Sequence, residues 1–186
     1  MLKNTKLYLF VILCALSIPY ISKAETHVYS DDIQPNWTWD MEGSPYILET
    51  TIHIPDDFSL LIKEGVEVSS APNEYGDIYS ISVSGILDVV GTKDSPVKFT
   101  GMDSIYFSSS NSSIKNAVFQ DTGLEFDNST STIESVSIKG AFEAITAEAS
   151  RVDVIDSTLS GNSYGIASYV KDTGPIFQVM AGSNIG

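Results

Sequence analysis

The sequence predicts an all-β fold, a parallel β-helix solenoid of about seven coils with three short strands in each coil. The first observation is a repeat, because apolar residues between positions 99 and 166 return at a nearly constant spacing. A repeat near twenty residues is typical of solenoids, in which each coil buries its apolar face against a neighbouring coil. Three apolar series carry the repeat: Phe99, Phe119, Ile138 and Leu159; Phe107, Phe126, Ile145 and Ile166; and Ile114, Ile133 and Val154.

The second observation is the alternation of apolar and polar residues in short runs, such as 97–99 and 135–138. Alternation points successive side chains to opposite faces of a strand, and Gly, Asn, Ser and Asp separate the runs. Helical repeats would need stretches of about 10–15 residues with 3.6-residue periodicity, which these coils lack. Leucine-rich and calcium-binding nonapeptide repeats each need a consensus that is absent here, so a β-helix is favoured.

The chain begins with a predicted signal peptide, residues 1–24. Lys3 and Lys6 precede an apolar run over 7–18, and Ser22-Lys23-Ala24 supplies small residues at a cleavage site. The apolar run is shorter than the roughly 20 residues that a membrane helix needs. We therefore expect cleavage after Ala24 and no membrane span in the exported chain.

Composition and charge restrict the classes of partner. The chain is 42% hydrophobic and 10% aromatic, which is typical of globular rather than disordered proteins. Its net charge of −14 becomes −17 when the three lysines ahead of the cleavage site are removed. Such an acidic chain cannot neutralise phosphates, so nucleic acid is not expected as a partner. No cysteine would remain after cleavage, so the apolar core alone would stabilise the exported protein.

Residues 25–43 are predicted to form an N-terminal linker or cap, and residues 44–186 the β-helix. The cap contains Trp37 and Trp39, which could stack on sugar rings but are more typical of a lid over the first coil. The pattern starts a further coil at 176–179 and stops at Gly186. We therefore expect a solenoid truncated at its C-terminal end. Its open coil would take further coils of a longer chain as partner, or would self-associate.

The motifs between residues 44 and 100 resemble a known family. They are Ser-Pro-Tyr-Ile-Leu at 44–48, Leu-Leu-Ile-Lys-Glu-Gly-Val-Glu-Val at 60–68, Gly-Ile-Leu-Asp-Val at 85–89, Gly-Thr at 91–92 and Pro-Val-Lys-Phe-Thr at 96–100. This order resembles the opening coils of secreted right-handed parallel β-helix proteins with the pectin-lyase-like fold, and the resemblance covers about 36–166. It implies a right-handed solenoid outside the cell. Because the shared residues serve packing and turns, it implies no particular activity.

The same coil spacing is expected to align the early coils as well. The pairs expected to stack are Leu60–Ile81, Ile62–Val83, Val66–Leu87 and Val68–Val89, all with one common offset. Gly65 and Gly85 would then fall at corners between strands, where a bend or a positive φ suits glycine.

No residue is assigned to catalysis. Lyases of this fold use carboxylates that hold calcium and a basic residue that abstracts a proton. Arg151 is the single arginine and therefore the candidate for that basic residue, but it is predicted to form a surface pair with Asp153 instead. Hydrolases of this fold use a trio of aspartates with His-containing and Arg/Lys-containing motifs, which are absent. His27 and His53 have no triad partners, so His53 is predicted to point outward from a strand.

No metal or cofactor site is assigned either. Asp121, Glu125 and Asp127 come closest to a calcium site, which needs about six to eight oxygen ligands. The spacing is expected to stack Glu125 on Ala144 and Asp127 on Thr146, which would end any acidic ladder after one coil. Asp56 and Asp57 are predicted to form a turn after Pro55.

The predicted function is that of an exported, non-catalytic module. Its role would be structural, adhesive or polysaccharide-contacting, at the cell surface or outside the cell, with the periplasm as the alternative compartment. A polysaccharide is the candidate ligand. A fragment of a polysaccharide lyase or glycoside hydrolase, with its catalytic coils missing, is the alternative, and a passenger segment of a longer surface protein is a third.

Overall fold

The strands of this chain run parallel in three sheets, which we name A, B and C. The structure, a computed structural model, describes residues 25–169, the backbone of 176–179, and residues 184–186. The predicted signal peptide lies outside the described residues. Helix within the described chain is limited to one 3-10 turn at Ser30–Asp32.

The strand bounds show how the sheets are built. Sheet A contains β1 (Thr26–Val28), β3 (Tyr46–Leu48), β6 (Glu67–Ser70), β9 (Val97–Thr100), β12 (Ala117–Gln120), β15 (Ser137–Lys139), β18 (Thr158–Ser160) and β21 (Asn184–Ile185). Sheet B contains β2 (Trp37–Trp39), β5 (Ser59–Lys63), β8 (Ile86–Val90), β11 (Asn111–Lys115), β14 (Thr130–Glu134), β17 (Arg151–Ile155) and β20 (Ile176–Val179). Sheet C contains β4 (Ile52–Ile54), β7 (Ile81–Val83), β10 (Ser104–Ser108), β13 (Gly123–Asp127), β16 (Glu143–Glu148) and β19 (Tyr164–Tyr169).

The predicted fold class is confirmed: the chain is an all-β parallel solenoid of about seven turns, with three strands in each full coil. From β3 onward the chain visits sheets A, C and B in that order. Two predicted apolar series stack as expected. Their paired residues are Phe99, Phe119, Ile138 and Leu159 in sheet A, and Ile114, Ile133 and Val154 in sheet B. The Phe99 and Phe119 rings stack with centroids 4.6 Å apart.

The series predicted for sheet C is only partly correct. Phe107 stacks on Phe126 as expected, but Phe126 then pairs with Ala147, while Ile145 pairs with Leu124. The connection from Ile138 to the inward Ile145 is two residues longer than the one from Phe119 to the inward Leu124. The two extra residues shift the register by two. Because strand side chains alternate with a period of two, this shift keeps apolar residues inward and leaves the repeat pattern unchanged.

The common offset expected in the early coils is wrong. Leu60 and Ile62 pair with Leu87 and Val89 in sheet B. Their expected partners Ile81 and Val83 instead belong to sheet C, where they pair with Ile52 and Ile54. In sheet A, Val68 pairs with Tyr46 and Phe99. The early coils are longer because connections such as residues 71–80, between β6 and β7, lengthen them.

Residues 25–43, predicted to be a linker or cap, contribute strands of their own. β1 pairs with β3 in sheet A, and β2 pairs with β5 in sheet B, so the solenoid begins before residue 44. Trp39 is fully buried and stacks on Tyr46 with ring centroids 4.6 Å apart. Trp37 packs partly buried against the core and meets Trp39 edge to face. The two tryptophans therefore form the apolar end of the first coil.

The corners between sheets repeat a left-handed backbone conformation. Corner residues with positive φ include Ser109, Asn128 and Ala149 between sheets C and B; Gly65, Asn116, Ser135 and Asp156 between B and A; and Gly101, Asp121, Gly140 and Gly161 between A and C. Short polar side chains and glycine adopt this conformation at the lowest energetic cost. Because these residues recur at the same corners in successive coils, they mark the ends of the strands in each sheet.

A buried serine ladder follows the corner between sheets C and B. The Ser110 and Ser129 N–H groups donate to the hydroxyls of Ser129 and Ser150 in the next coil, each at 3.0 Å. The Ser129 and Ser150 hydroxyls donate to the carbonyl oxygens of Asp127 and Glu148 within their own coils. The ladder thus satisfies backbone groups that the bend removes from the sheets.

Candidate ligand-binding face

The isolated candidates from the sequence lie where they were predicted. Arg151 forms an ion pair with Asp153, with Nη2 and Oδ2 3.2 Å apart. His53 points outward from β4, with its Nδ1 3.4 Å from the Ser82 hydroxyl. The predicted turn after Pro55 is closed by a hydrogen bond of 2.9 Å from the Phe58 N–H to the Pro55 carbonyl.

His27 has an acidic neighbour that the sequence analysis did not identify. It lies in β1, and its Nδ1 is 2.6 Å from Oε1 of Glu49. Both side chains are partly exposed, so this contact is a surface pair that links the first coil to the next.

The acidic trio is arranged differently from the prediction. Asp121 lies at a corner with a positive φ, whereas Glu125 and Asp127 point outward from β13. Glu125 pairs with Thr146 and Asp127 with Glu148, rather than with Ala144 and Thr146, because of the two-residue register shift. Asp127 is therefore followed by an acidic residue in the next coil, and Tyr169 takes that position in the coil after it. Even so, no group of three or more His, Cys, Asp or Glu side chains is placed to hold a metal ion in the described residues.

Charge is distributed unevenly among the three sheets. Sheet A carries the ion pair of Lys98 with Glu67, and sheet B carries those of Lys115 with Glu134 and Arg151 with Asp153. The six described strands of sheet C contain no Lys or Arg but four acidic residues. These are Glu125, Asp127, Glu143 and Glu148, all half-buried.

Hydroxyl groups contact two of these carboxylates. The Thr146 hydroxyl donates to Oε2 of Glu143 at 2.9 Å, and the Tyr169 hydroxyl lies 3.4 Å from Oε1 of the same carboxylate. The Tyr106 hydroxyl donates to Oδ2 of Asp127 at 3.3 Å. Hydroxyl donors therefore contact the Glu143 and Asp127 carboxylates on sheet C, whereas Lys or Arg pairs with carboxylates on sheets A and B.

Aromatic rings stand beside these carboxylates. Phe142 is 70% exposed and Tyr164 is 56% exposed, and their rings meet edge to face with centroids 5.4 Å apart. Because two large aromatic rings lie uncovered in contact with each other, this pair is the candidate contact surface. We name the surface formed by Tyr106, Glu125, Asp127, Phe142, Glu143 and Tyr164 the acidic–aromatic face.

Two clefts of about 170 Å³ each lie on this face. Asp103, Asp121, Phe142 and Glu143 line the first, and Tyr106, Asp127, Thr146 and Tyr169 line the second. Glu125 belongs to both clefts, so they adjoin along the solenoid. The arrangement offers ring faces for stacking and carboxylate oxygens that accept hydrogen bonds from a ligand's hydroxyl or amino groups.

A larger open groove of about 470 Å³ follows the corner between sheets B and A. Its lining includes Lys93, Pro96, Val118, Ser135 and Asp156. Its described lining contains hydroxyl groups and one residue of each charge but no aromatic ring, so it offers no stacking platform.

Most residues of the face were missed by the sequence analysis. Glu143 and Tyr164, which are cross-strand partners in successive coils, carried a usable signal, because both occupy outward positions at the coil spacing. Phe142 has no such signal, since it lies in a corner just before β16.

Comparison with protein-family models, with curated proteins and with solved structures gives no match to this chain. Within the described residues, no helix has the length and apolar character required to cross a membrane.

Proposed function

We propose that this chain is an exported, non-catalytic β-helix module that contacts polysaccharide through the acidic–aromatic face, with a structural or adhesive role at the cell surface or outside the cell. The proposal includes the finer assignment to the right-handed, pectin-lyase-like β-helices and the removal of residues 1–24. The leader pattern of Lys3, Lys6 and the 7–18 apolar run supports export.

The observation that carries the proposal is the exposed ring pair of Phe142 and Tyr164 next to two adjoining clefts. Sugar rings present apolar C–H faces and a rim of hydroxyl groups. Aromatic rings pack against such faces, and carboxylates such as Glu125 accept hydrogen bonds from such hydroxyls. A solenoid repeats its outward positions from coil to coil, which suits a repeating polymer.

Affinity electrophoresis of the exported protein in gels containing a panel of polysaccharides tests this function. We expect retardation by at least one polymer and a roughly two- to tenfold weaker binding for Phe142→Ala, the range set by the loss of one aromatic contact. Tyr75→Ala is the matched control, because Tyr75 is 82% exposed but lines neither cleft.

Three outcomes would contradict the proposal. They are the absence of retardation by every polymer, equal losses for Phe142→Ala and Tyr75→Ala, and release of new sugar ends from the polymer, which would indicate an enzyme.

N-terminal sequencing of the same exported material should begin at Glu25, and a product that retains residues 7–18 would contradict cleavage.

A further inference from the structure

We infer that the acidic–aromatic face selects polysaccharides that carry protonated amino groups. This inference rests on the proposed function and deepens it by naming the class of polymer. It joins two independent features of the face, the uncovered aromatic rings and the sign of the charge around them.

The charge around the clefts has one sign. Asp103, Asp121, Glu125 and Glu143 line the first cleft, and neither cleft has a Lys or Arg in its described lining. On sheets A and B, by contrast, Lys or Arg pairs with the carboxylates of Glu67, Glu134 and Asp153. A polyuronate or a sulfated polymer would meet repulsion at this face, whereas an ammonium group would meet attraction.

The aromatic rings are the second feature of the face. Acidic residues alone would describe a solvated face, but Phe142 and Tyr164 keep apolar area uncovered beside them. An amino sugar matches both features, because its ring packs on an aromatic face while its ammonium group contacts carboxylates or an aromatic π-face. A basic peptide matches the charge, but it has no sugar ring to stack on these side chains.

The size and spacing of the clefts favour a polymer over a compact ligand. Each cleft, at about 170 Å³, is smaller than the roughly 300 Å³ at which pockets for drug-sized ligands begin. Because the two clefts share Glu125, neighbouring units of one chain can occupy them together. This arrangement places a carboxylate between two consecutive units.

Calorimetric titration of the exported protein with four probes tests the inference. The probes are a glucosamine oligomer, its N-acetylated counterpart, an uncharged glucose oligomer and a galacturonate oligomer. We expect the glucosamine oligomer to bind at least about tenfold more tightly than the other three, and this preference to shrink as salt rises. Binding of the N-acetylated or glucose oligomer with equal affinity would overturn the inference but leave the proposed function standing. Failure of every oligomer would also overturn the inference, whereas the proposed function is decided separately by the polysaccharide panel.

Variants distinguish the effect of the carboxylates on this face from the effect of the overall negative charge of the chain. Glu125→Gln and Glu143→Gln should each weaken binding of the glucosamine oligomer about two- to fivefold, and Phe142→Ala should weaken it as well. Glu67→Gln removes one charge from sheet A and is the matched control, with binding expected to stay at the wild-type level. Equal losses for Glu67→Gln and Glu125→Gln would overturn the inference, because they would show a non-local charge effect.

Polylysine distinguishes a glycan face from a general cation surface. We expect polylysine to bind more weakly than the glucosamine oligomer at matched charge and to lose less affinity than the oligomer does in Phe142→Ala, because it has no sugar ring to stack on Phe142. Polylysine binding as tight as the oligomer, with the same loss in Phe142→Ala, would identify a basic polypeptide as the better occupant and overturn the inference.

Discussion

Tyr46 links the first coil to the second. Its ring stacks on Trp39, and its hydroxyl accepts a hydrogen bond of 3.1 Å from the Asp40 N–H. Burial raises the pKa of Tyr46 above its ordinary value of 10.0, and the nearby Asp40 and Glu42 carboxylates raise it further, while the backbone hydrogen bond acts in the opposite direction. The folded protein therefore holds the phenol proton more tightly than the unfolded chain does.

This shift predicts an alkaline loss of stability. Because the folded-state pKa is raised, the stabilisation is complete below pH 10 and declines as the pH rises past 10. The contribution of Tyr46 to the free energy of unfolding falls by at most about 1.4 kcal/mol per pH unit. Urea unfolding between about pH 8 and 11 should show a shallower decline in Tyr46→Phe than in the wild type. The exposed Tyr75→Phe should follow the wild type. If stability declined equally in the wild type and in Tyr46→Phe, the alkaline loss could not be attributed to Tyr46.

At the scale of the strand, β15 shows how alternation divides core from surface. Ile138 is fully buried between Phe119 and Leu159, while the adjacent Lys139 is exposed. Ile138→Ala is expected to lower the free energy of unfolding by about 2–5 kcal/mol, through lost burial and the cavity that remains. Lys139→Ala should change it by no more than about 0.5 kcal/mol. Urea unfolding measures both, and similar losses would mean that the two side chains are not on opposite faces.

Strands were easier to predict than their pairing. Inward residues such as Ile133 and Leu159 are apolar at regular intervals, so the repeat indicated strands and core directly. The register of β13 with β16 could not be predicted, because a shift of two residues preserves the pattern. The same ambiguity hid the neighbouring positions of the acidic residues Asp127 and Glu148.

Corners were also hard to predict. Glycine marks some of them, but the columns with positive φ also include Asn116, Ser135 and Ala149, which give no distinctive signal. Ser110 and Ser129 stand in polar stretches without apolar alternation, yet both serines are buried and take part in hydrogen bonds that cross the coils. A hydrogen-bond ladder of this kind depends on neighbouring coils, so only the assembled solenoid reveals it.

At the scale of the whole molecule, negative charge outweighs positive charge. The chain has 24 acidic and 10 basic residues, and among the described residues three ion pairs of Lys or Arg with Asp or Glu connect them. Surface pairs of this kind contribute about 0–1 kcal/mol each. With acidic residues in this excess, we expect repulsion among carboxylates to oppose the compact state more than these pairs favour it.

Salt should therefore stabilise this protein. Raising NaCl from about 10 mM to about 0.5 M shortens the Debye length from roughly 30 Å to well under 8 Å, which screens the repulsion between distant carboxylates. We expect the free energy of unfolding to increase by about 1 kcal/mol, because the weakening of three exposed ion pairs is the smaller effect. Urea unfolding in NaCl and in KCl measures this change. An equal increase in both salts indicates screening, whereas an increase confined to one indicates binding of that cation. A decrease in both would show that the ion pairs on sheets A and B outweigh the net repulsion.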